Sequence, residues 1–424
     1  MPEKAMVSQK KRFDQDFSND SLSQDNKKPS DFLHWNSGNA GDCFKIGISI
    51  SKSNLKLYSA FADSDLIIAS PLGLKTIIDD EKEEDVQNVT ASIEMLVIDQ
   101  AELLIMQNWQ NLLDIVETIN RKPSKAIFPN PARIRLAYLS DQGARYRQSL
   151  VFSSVQHQLI DGLSSLFKNY QGLNYYFHQD PNHNPKFMTY LHEVCLYPSL
   201  LSETDSSFKV NLIPFFIPNI NMKAFSQTSF SKADKLDDAN FNISSLSGRT
   251  ISQARFSAFN DRLMPSIMTG SKKRVLIYVP DFYDSVFLTE ELKKRSQDFC
   301  FINEYTKDSD ADKYRNLFDE EKVRIMLITE RYYFYKRRKI RGAVNFFFYG
   351  PPTFPWFTKE LIDSRHLPTQ KKHKKSHTAP ETKRAKKDFA ENSQDNKLEY
   401  SISLLYCSVT ERNIVSTITG KLEN

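Results

Sequence analysis

Short apolar runs alternate with helical patterns along most of this chain. In the first half, runs rich in aliphatic residues occur at 65–70, 93–100, 133–140 and 148–154, with a helical pattern at 101–120. In the second half, similar runs occur at 274–280, 299–305, 324–330, 344–350 and 400–408, with helices predicted at 284–296, 308–320 and 409–419. Strands that are apolar throughout and separated by helices are typical of parallel sheets covered on both faces. The pattern therefore predicts an α/β fold with two parallel-sheet units in tandem.

The same pattern divides the chain into four parts. Residues 1–30 are polar and predict a flexible lead-in, and residues 31–180 form the first unit. Residues 181–262 are rich in Ser, Asn, Phe and Asp and predict a connecting region. Residues 263–424 form the second unit, which five strands are expected to build.

Composition excludes several classes of protein. The four cysteines of this 424-residue chain are widely separated, so a disulfide framework is not expected. No apolar run reaches the roughly 18 residues that a membrane-spanning helix needs. The first residues lack the apolar core of a secretory signal. We therefore expect a globular protein of a reducing compartment, with no metal site and no cofactor.

The net charge of +5 hides one strongly basic segment. Residues 371–387 contain eight lysines and arginines and one acid, Glu381, so the rest of the chain is close to neutral. Such a run cannot bury enough apolar area to fold, and we predict a disordered loop at 367–396. It is either a solvated insertion, a nuclear-import signal or a tether for RNA phosphates.

A second basic segment, residues 331–342, has a different composition. Its cations are Arg331, Lys336, Arg337, Arg338, Lys339 and Arg341, and its aromatic residues are Tyr332, Tyr333, Phe334 and Tyr335. Aromatic rings that stack on bases, beside cations that neutralise phosphates, are typical of proteins that bind single-stranded RNA. Alternatively, the rings pack inward at a strand end and the cations are merely solvated.

Two tandem α/β units raise the possibility of a nucleotide-driven helicase, but its phosphate chemistry is missing. The chain has no Gly-x-x-x-x-Gly-Lys-[Ser/Thr] string for cradling phosphates. At 96–102 it reads LVIDQAE, and Gln100 occupies the place of the acid that would orient the attacking water. Asp99 is left either as a metal-binding remnant without a base or, as we expect, as the cap of the helix beginning at Ala101, and Glu102 could replace the base only if the turn were rearranged. We expect no ATP site in this chain.

Several strings nevertheless resemble superfamily 2 helicases. The string IIASPLGL at 67–74 is similar to their phosphate-contacting turn, VIDQAE to their DEAD-box strand, and VFSS at 151–154 to their Ser-Ala-Thr strand end. The pair Arg341-Gly342 stands where those enzymes carry Arg-Gly-Ile-Asp. The arginine-finger motif expected after Pro352 is replaced by TFPWFTKELID.

The sequences of these strings resemble those of one degenerate helicase family, the U3 small nucleolar RNA-associated protein 25 family. The carrying strings include LYSAFADSDLIIASPLGL at 57–74, SIEMLVIDQAELLIMQNW at 92–109 and LITERYYFYKRRKIRG at 327–342. The resemblance implies two RecA-like units and RNA contacts at Arg331, Lys336, Arg337, Arg338 and Arg341, with the Ser70 to Gly73 turn as a second surface.

The resemblance also implies a function. Members of the family are non-enzymatic nucleolar components of the small-subunit processome, associated with U3 small nucleolar RNA and precursor ribosomal RNA in 18S rRNA maturation. The chain starts midway through the family's first domain, so we expect the first unit to be incomplete and to expose an edge and an apolar face. Two alternatives remain open: an ATP-dependent RNA helicase whose P-loop lies in an upstream segment, and a pure protein-interaction scaffold.

Overall fold

The computed structural model describes residues 6–17, 28–36, 41–80, 89–90, 92–121, 135–174, 208–217, 248–269, 272–364 and 400–419. The predicted basic loop at 367–396 lies outside the described residues, as do residues 1–5 and 18–27 of the lead-in, whereas residues 6–17 of the lead-in contain a short strand and a helix. The chain divides into two compact units, residues 1–178 and 179–424. Both units combine parallel strands with helices, so the predicted α/β class is confirmed.

The first unit contains two separate sheets. Its strands are β1 (Met6–Ser8), β2 (Lys45–Ile50), β3 (Asn54–Leu57), β4 (Leu66–Ala69), β5 (Met95–Ile98) and β6 (Gln148–Val151). The larger sheet has the order β1-β3-β2-β4, and β2 runs antiparallel to both of its neighbours, so the expectation of a purely parallel first sheet was wrong there. Strands β5 and β6 form a parallel pair.

The helices of the first unit are short. They are α1 (Lys10–Asp16), α2 (Ser30–Trp35), α3 (Pro71–Ile78), α4 (Ala101–Ile105), α5 (Trp109–Ile119), α6 (Leu136–Leu139), α7 (Gly143–Tyr146) and α8 (Gln158–Gly162). The helix predicted at 101–120 is two helices, because the Asn108 side chain accepts a hydrogen bond from the backbone N–H of Gln110 and starts a new helix.

The strand predicted at 133–140 was wrong in its described part. Residues Leu136–Leu139 form a helical turn in which the N–H of Ser140 donates to the carbonyl of Leu136 at 2.9 Å. This turn buries the ring of Tyr138 and leaves Leu136 exposed. A single helical turn is enough to bury this ring, so the apolar residues of the segment do not require a strand.

The pair β5 and β6 is apolar on both faces, but only one face is covered. Leu96 and Val151 pack against the cores that α5 and the turn after α8 supply. The opposite face carries exposed apolar side chains, namely Met95, Val97, Leu150 and Phe152. The exposed apolar face expected of the first unit is therefore confirmed within the described residues.

The second unit is built on one six-stranded, fully parallel sheet. Its strands are β7 (Phe208–Phe215), β8 (Val275–Val279), β9 (Phe299–Ile302), β10 (Ile325–Thr329), β11 (Asn345–Phe348) and β12 (Tyr400–Cys407), in the order β7-β12-β11-β8-β10-β9. The five predicted strands are confirmed. The sixth, β7, lies inside the predicted connecting region and pairs with β12 over eight residues.

The edge position of β7 explains why its pattern was missed. Pro214 cannot donate a ladder hydrogen bond, and Lys209 and Asn211 interrupt the apolar run. An edge strand tolerates both features because one of its sides makes no ladder. The structure therefore adds residues from the predicted connecting region to the second unit.

The three longest described helices belong to the second unit. The helices of this unit are α9 (Gly248–Arg262), α10 (Met264–Met268), α11 (Phe282–Lys294), α12 (Asp308–Asp319), α13 (Glu330–Lys336), α14 (Trp356–Asp363) and α15 (Arg412–Thr419). Phe259 and Leu288 bring α9 and α11 into one core with odd-numbered residues of β8, such as Ile277.

A buried ion pair ties the edge of this sheet to its centre. Arg255 on α9 pairs with Glu411, which in turn accepts a 2.8 Å hydrogen bond from the N–H of Cys407 at the end of β12. Arg255 also donates to the carbonyl of Tyr349 at 3.3 Å, and its guanidinium carbon lies 5.1 Å from the ring centroid of Phe215 on β7. One side chain thus connects three strand ends.

Replacing Arg255 should destabilise the second unit. The change Arg255→Ala leaves Glu411 buried without its partner, which we expect to lower the free energy of unfolding by about 3 kcal/mol. Urea denaturation of the whole chain measures this loss. Arg295→Ala removes an exposed pair with Glu291 and should change the free energy by no more than about 0.5 kcal/mol. Equal effects of the two variants would contradict the assignment.

Candidate nucleic-acid interface

The basic and aromatic segment 331–342 consists of helix α13 followed by a loop. The hydroxyl of Thr329 accepts a hydrogen bond from the N–H of Tyr332 and caps the start of the helix. The helix ends at Arg337, whose backbone is left-handed with φ 40° and ψ 44°. The loop then leads to β11, and the segment connects the carboxyl end of β10 with the amino end of β11.

Three of the four aromatic rings in this segment belong to the core. Tyr332, Tyr333 and Phe334 are buried, and only Tyr335 is exposed. The ring of Phe334 stacks on Phe354 with centroids 5.5 Å apart. The alternative interpretation, in which the rings pack inward, therefore holds for three of the four.

Arg337 has a structural role that the sequence did not reveal. Its side chain is fully buried, and Nη1 lies 2.7 and 2.6 Å from the two carboxylate oxygens of Glu360. Its guanidinium carbon lies 4.0 Å from the ring centroid of Phe357, and the Tyr333 hydroxyl donates to the same carboxylate at 3.0 Å. Arg337, one of the cations predicted to contact RNA, is thus buried and paired with Glu360.

Arg331 and Lys336 are partly exposed and paired with acids. Nη1 of Arg331 lies 3.6 Å from Oε1 of Glu304, and Nζ of Lys336 lies 2.9 Å from Oδ1 of Asp308. The hydrogen bond and the charge of Lys336 lower the pKa of the Asp308 carboxyl. These two cations have neighbours that offset their charge.

Arg338, Lys339 and Arg341 are exposed, and within the described part of the chain no ion pair joins them to an acid. Their loop runs beside α12, since the carbonyl of Lys339 accepts a hydrogen bond from Arg315 at 3.2 Å. The three cations therefore lie on one exposed loop beside α12, which we call the cationic loop.

In the second predicted RNA surface, the Ser70 to Gly73 turn, Ser70 and Gly73 are buried and Leu72 is exposed. The Ser70 hydroxyl donates to the carbonyl of Asp42 at 2.7 Å and accepts from the N–H of Gly73 at 3.0 Å, capping α3. A Cβ atom at Gly73 would lie 2.3 Å from the carbonyl oxygen of Phe44. Both residues thus fasten α3 to residues 42–44, and contact with RNA there stays a prediction.

The degenerate DEAD-like motif adopts a tight turn. Asp99 is exposed and its Oδ1 accepts a hydrogen bond from the N–H of Gln100, which itself is left-handed at φ 50° and ψ 49°. Ala101 is fully buried, and its N–H donates to the carbonyl of Phe152 at 2.9 Å. The helix begins at Ala101 as predicted, but Gln100 rather than Asp99 occupies the N-cap position.

Glu102 is held by the second motif that the sequence singled out. Its two carboxylate oxygens accept hydrogen bonds from the hydroxyl of Ser154 at 2.9 Å and from the Ser154 N–H at 3.3 Å. The side chain is buried, so it fixes the end of β6 to α4 rather than facing solvent. Among the described residues, no group of three or more candidate ligands is arranged to hold a metal ion.

Sequence reasoning missed a cluster of aromatic residues at the carboxyl edge of the second sheet. Phe282 and Tyr283 follow β8, and Tyr305 follows β9. Tyr283 and Tyr305 are the most exposed of the three, at 73% and 74%. The signal in the sequence was the placement of aromatic residues directly after apolar strands, and it was obscured because Tyr305 was assigned to its strand.

Two family models match the chain. The UTP25 NTP hydrolase-like domain matches residues 1–174, and the Utp25 C-terminal domain matches residues 235–391. The U3 small nucleolar RNA-associated protein 25 homolog of Xenopus tropicalis is 32% identical over 85% of the chain, and the corresponding protein of Schizosaccharomyces pombe is 32% identical over 84%. The chain belongs to the U3 small nucleolar RNA-associated protein 25 family.

The chain spans under half the length of these relatives, 42% of the Xenopus protein and 48% of the Schizosaccharomyces pombe protein. A solved structure, S. cerevisiae Dbp5 bound to RNA and ADP BeF3, is 12% identical with a TM-score of 0.29, covering 84% of this chain and 63% of that one. The fold of this family member is defined by the strand order and register given above. Its described helices include none with the length and hydropathy to cross a membrane.

Glu330 gives the carboxyl edge of β10 a pH dependence. Burial raises the pKa of this carboxyl to about 7, although the hydroxyl and the N–H of Thr353 both donate hydrogen bonds to it. The folded state therefore binds a proton that the unfolded state has released near neutral pH. Stability from this group is complete below its ordinary pKa of 4.5 and is lost as the pH rises to about 7.

Replacing Glu330 with Gln should remove this dependence. A neutral amide pays no desolvation penalty at high pH, so the stability difference between Glu330→Gln and the natural chain should grow by about 3 kcal/mol from pH 4.5 to pH 8. Urea denaturation across this range measures it. The matched variant Glu290→Gln changes an exposed acid and should show no such trend. A constant difference between Glu330→Gln and the natural chain would refute the assignment.

Proposed function

We propose that this chain is a non-catalytic, RNA-contacting component of the small-subunit processome, acting in the nucleolus with U3 small nucleolar RNA and precursor ribosomal RNA in 18S rRNA maturation. The names of its relatives support an association with U3 RNA and ribosome biogenesis. The cationic loop is the surface that we assign to RNA. Its three cations are exposed and make no ion pair among the described residues, so they can neutralise phosphates.

The turn at residues 99–102 carries the non-catalytic part of this proposal. A helicase-type hydrolase needs a carboxylate that accepts a proton from the attacking water. Gln100 offers an amide, and Glu102 is buried against Ser154. Asp99 is exposed to solvent. This arrangement supports a helicase-shaped protein that has kept its fold without the proton acceptor.

The ATPase prediction is direct. The purified protein should show no ATP hydrolysis that depends on added single-stranded RNA, and Gln100→Glu should not restore it, because the chain has no phosphate-cradling string. The assay measures released phosphate with and without RNA. Asp99→Asn serves as the control for contaminating enzymes. RNA-stimulated hydrolysis that Asp99→Asn abolishes would favour the alternative, an ATP-dependent helicase, and overturn this proposal.

The RNA prediction concerns the cationic loop. Replacing Arg338, Lys339 and Arg341 together with Gln should weaken binding to single-stranded RNA. It should also reduce the slope of log affinity against log salt by about 2, because fewer counterions are released when three phosphate contacts are lost. Fluorescence anisotropy at several salt concentrations measures both. Arg337 is left unchanged because its removal would disturb the core.

A charge-matched control separates a specific surface from general attraction. Lys293 and Lys294 are exposed at the carboxyl end of α11, and Lys209 is exposed on the edge strand β7, so replacing these three lysines with Gln should leave the slope unchanged. Equal slopes in the cationic-loop variant and the natural chain would refute RNA contact there. Crosslinks from residues 331–342 to protein alone in purified nucleoli would instead favour the protein-interaction scaffold.

A further inference from the structure

Three aromatic rings form an exposed cluster on the second unit, which we call the aromatic cluster: Phe282, Tyr283 and Tyr305. Phe282 is central, with its ring centroid 5.9 Å from that of Tyr283 and 5.7 Å from that of Tyr305, both edge to face. The two tyrosines are about three-quarters exposed. Because the rings of the first two residues of α11 support the ring of Tyr305 from the turn after β9, the cluster presents fixed aromatic surface to solvent.

The aromatic cluster lies where parallel sheets bind their ligands. Strand β8 ends at Val279 and β9 ends at Ile302, and both are neighbours of β10 in the sheet. The start of α11, which carries Phe282 and Tyr283, and the turn that carries Tyr305 therefore lie at the carboxyl edge of the sheet. In open α/β sheets this edge is the usual site of ligand binding.

Two unsatisfied polar atoms lie next to the aromatic cluster. Oε1 of Glu304 and Nε of Arg331 are buried, and neither has a hydrogen-bond partner. Nη1 of Arg331 approaches Oε1 of Glu304 only to 3.6 Å, which is too far for a hydrogen bond. The other carboxylate oxygen of Glu304 accepts from the Thr329 hydroxyl at 3.0 Å, so the acid itself is fixed in place. Buried polar atoms left without partners are uncommon in folded proteins.

We propose that the aromatic cluster stacks a base of single-stranded RNA, while Arg331 contacts the adjoining phosphate and Glu304 accepts a hydrogen bond from the same ribonucleotide. The proposal rests on the proposed function, because it assumes that this chain contacts RNA. It adds a stacking site that is separate from the cationic loop. Stacking on exposed aromatic rings beside an arginine is how proteins hold unpaired bases.

The polar atoms favour a ribonucleotide over a protein helix. Val286 and Phe287 extend the apolar surface along α11, and an amphipathic helix of a partner could cover it. The Arg331 side chain is partly exposed beside this surface, and a nucleotide brings a phosphate to it, whereas an apolar helix face does not.

The test removes the rings without removing charge. Tyr283 and Tyr305 are so exposed that replacing both with Ala should leave the fold intact, which circular dichroism and the unfolding midpoint check. Affinity for a short oligouridylate should fall about tenfold or more, with the salt slope unchanged. Phe287→Ala is the matched control, an exposed aromatic residue on the same helix but farther from the edge, and it should not affect RNA binding.

The role of Glu304 has its own measurement. Oligouridylate and oligodeoxyuridylate differ only in the 2′-hydroxyl, so a preference for oligouridylate that Glu304→Ala abolishes would assign the donor to this hydroxyl. An equal preference in both proteins would remove Glu304 from the site. The Tyr283 and Tyr305 variant then tests the stacking part alone.

The two proposals fail in different ways. Unchanged affinity in the double tyrosine variant, together with a flattened slope in the cationic-loop variant, would overturn the stacking site and leave the proposed function standing. Loss of affinity in Phe287→Ala as large as in the double tyrosine variant would also overturn it, since the apolar surface would then act as a whole. Failure of the natural chain to bind any single-stranded RNA would overturn both.

Discussion

The second unit depends on one constraint: its central strands are apolar on both faces, so both faces must be covered. Strands β8, β10 and β11 are buried at every position. Helices α9, α10 and α11 supply side chains to one face. Tyr278 and Phe348 point to the other, with ring centroids 5.6 Å apart. The buried rings of α13 and α14 provide apolar cover beyond them, and this demand decides which aromatic residues remain available for binding.

That demand explains the part of the interface that sequence reasoning misjudged. In 331–342 the pattern of cations and rings is the same whether the rings face RNA or the sheet, and composition cannot distinguish the two. Packing distinguishes them, because Tyr332, Tyr333 and Phe334 fill space that the sheet would otherwise expose. Arg337 follows the rings inward because Glu360 offers it a carboxylate. The three cations beyond it have no such partner among the described residues and stay outside.

Most strands were predictable because burial on both faces leaves a continuous apolar run, which few other structures produce. The exceptions follow the same logic. Strands β1, β2 and β3 were not predicted and are partly exposed, and β7 is an edge strand that carries Pro214, so these patterns lack the signature. Residues 136–139 bury a single ring, and a helical turn does that as well as a strand. In the candidate site, the sequence showed which residue types form the DEAD-like turn. It could not show the contact of Glu102 with Ser154, because these residues are 52 positions apart and only the fold brings them together.

The burial of Arg337 has a consequence for the entropy of binding. Its left-handed backbone and its contact with Glu360 fix one end of the cationic loop, while buried Ile340 and the Arg315 bond to the carbonyl of Lys339 fix the middle. The backbone of the loop is thus ordered before any ligand arrives. An association that orders only three side chains loses less conformational freedom than one that must also order a flexible segment. A cation removed from contact with solvent thereby makes its exposed neighbours more effective.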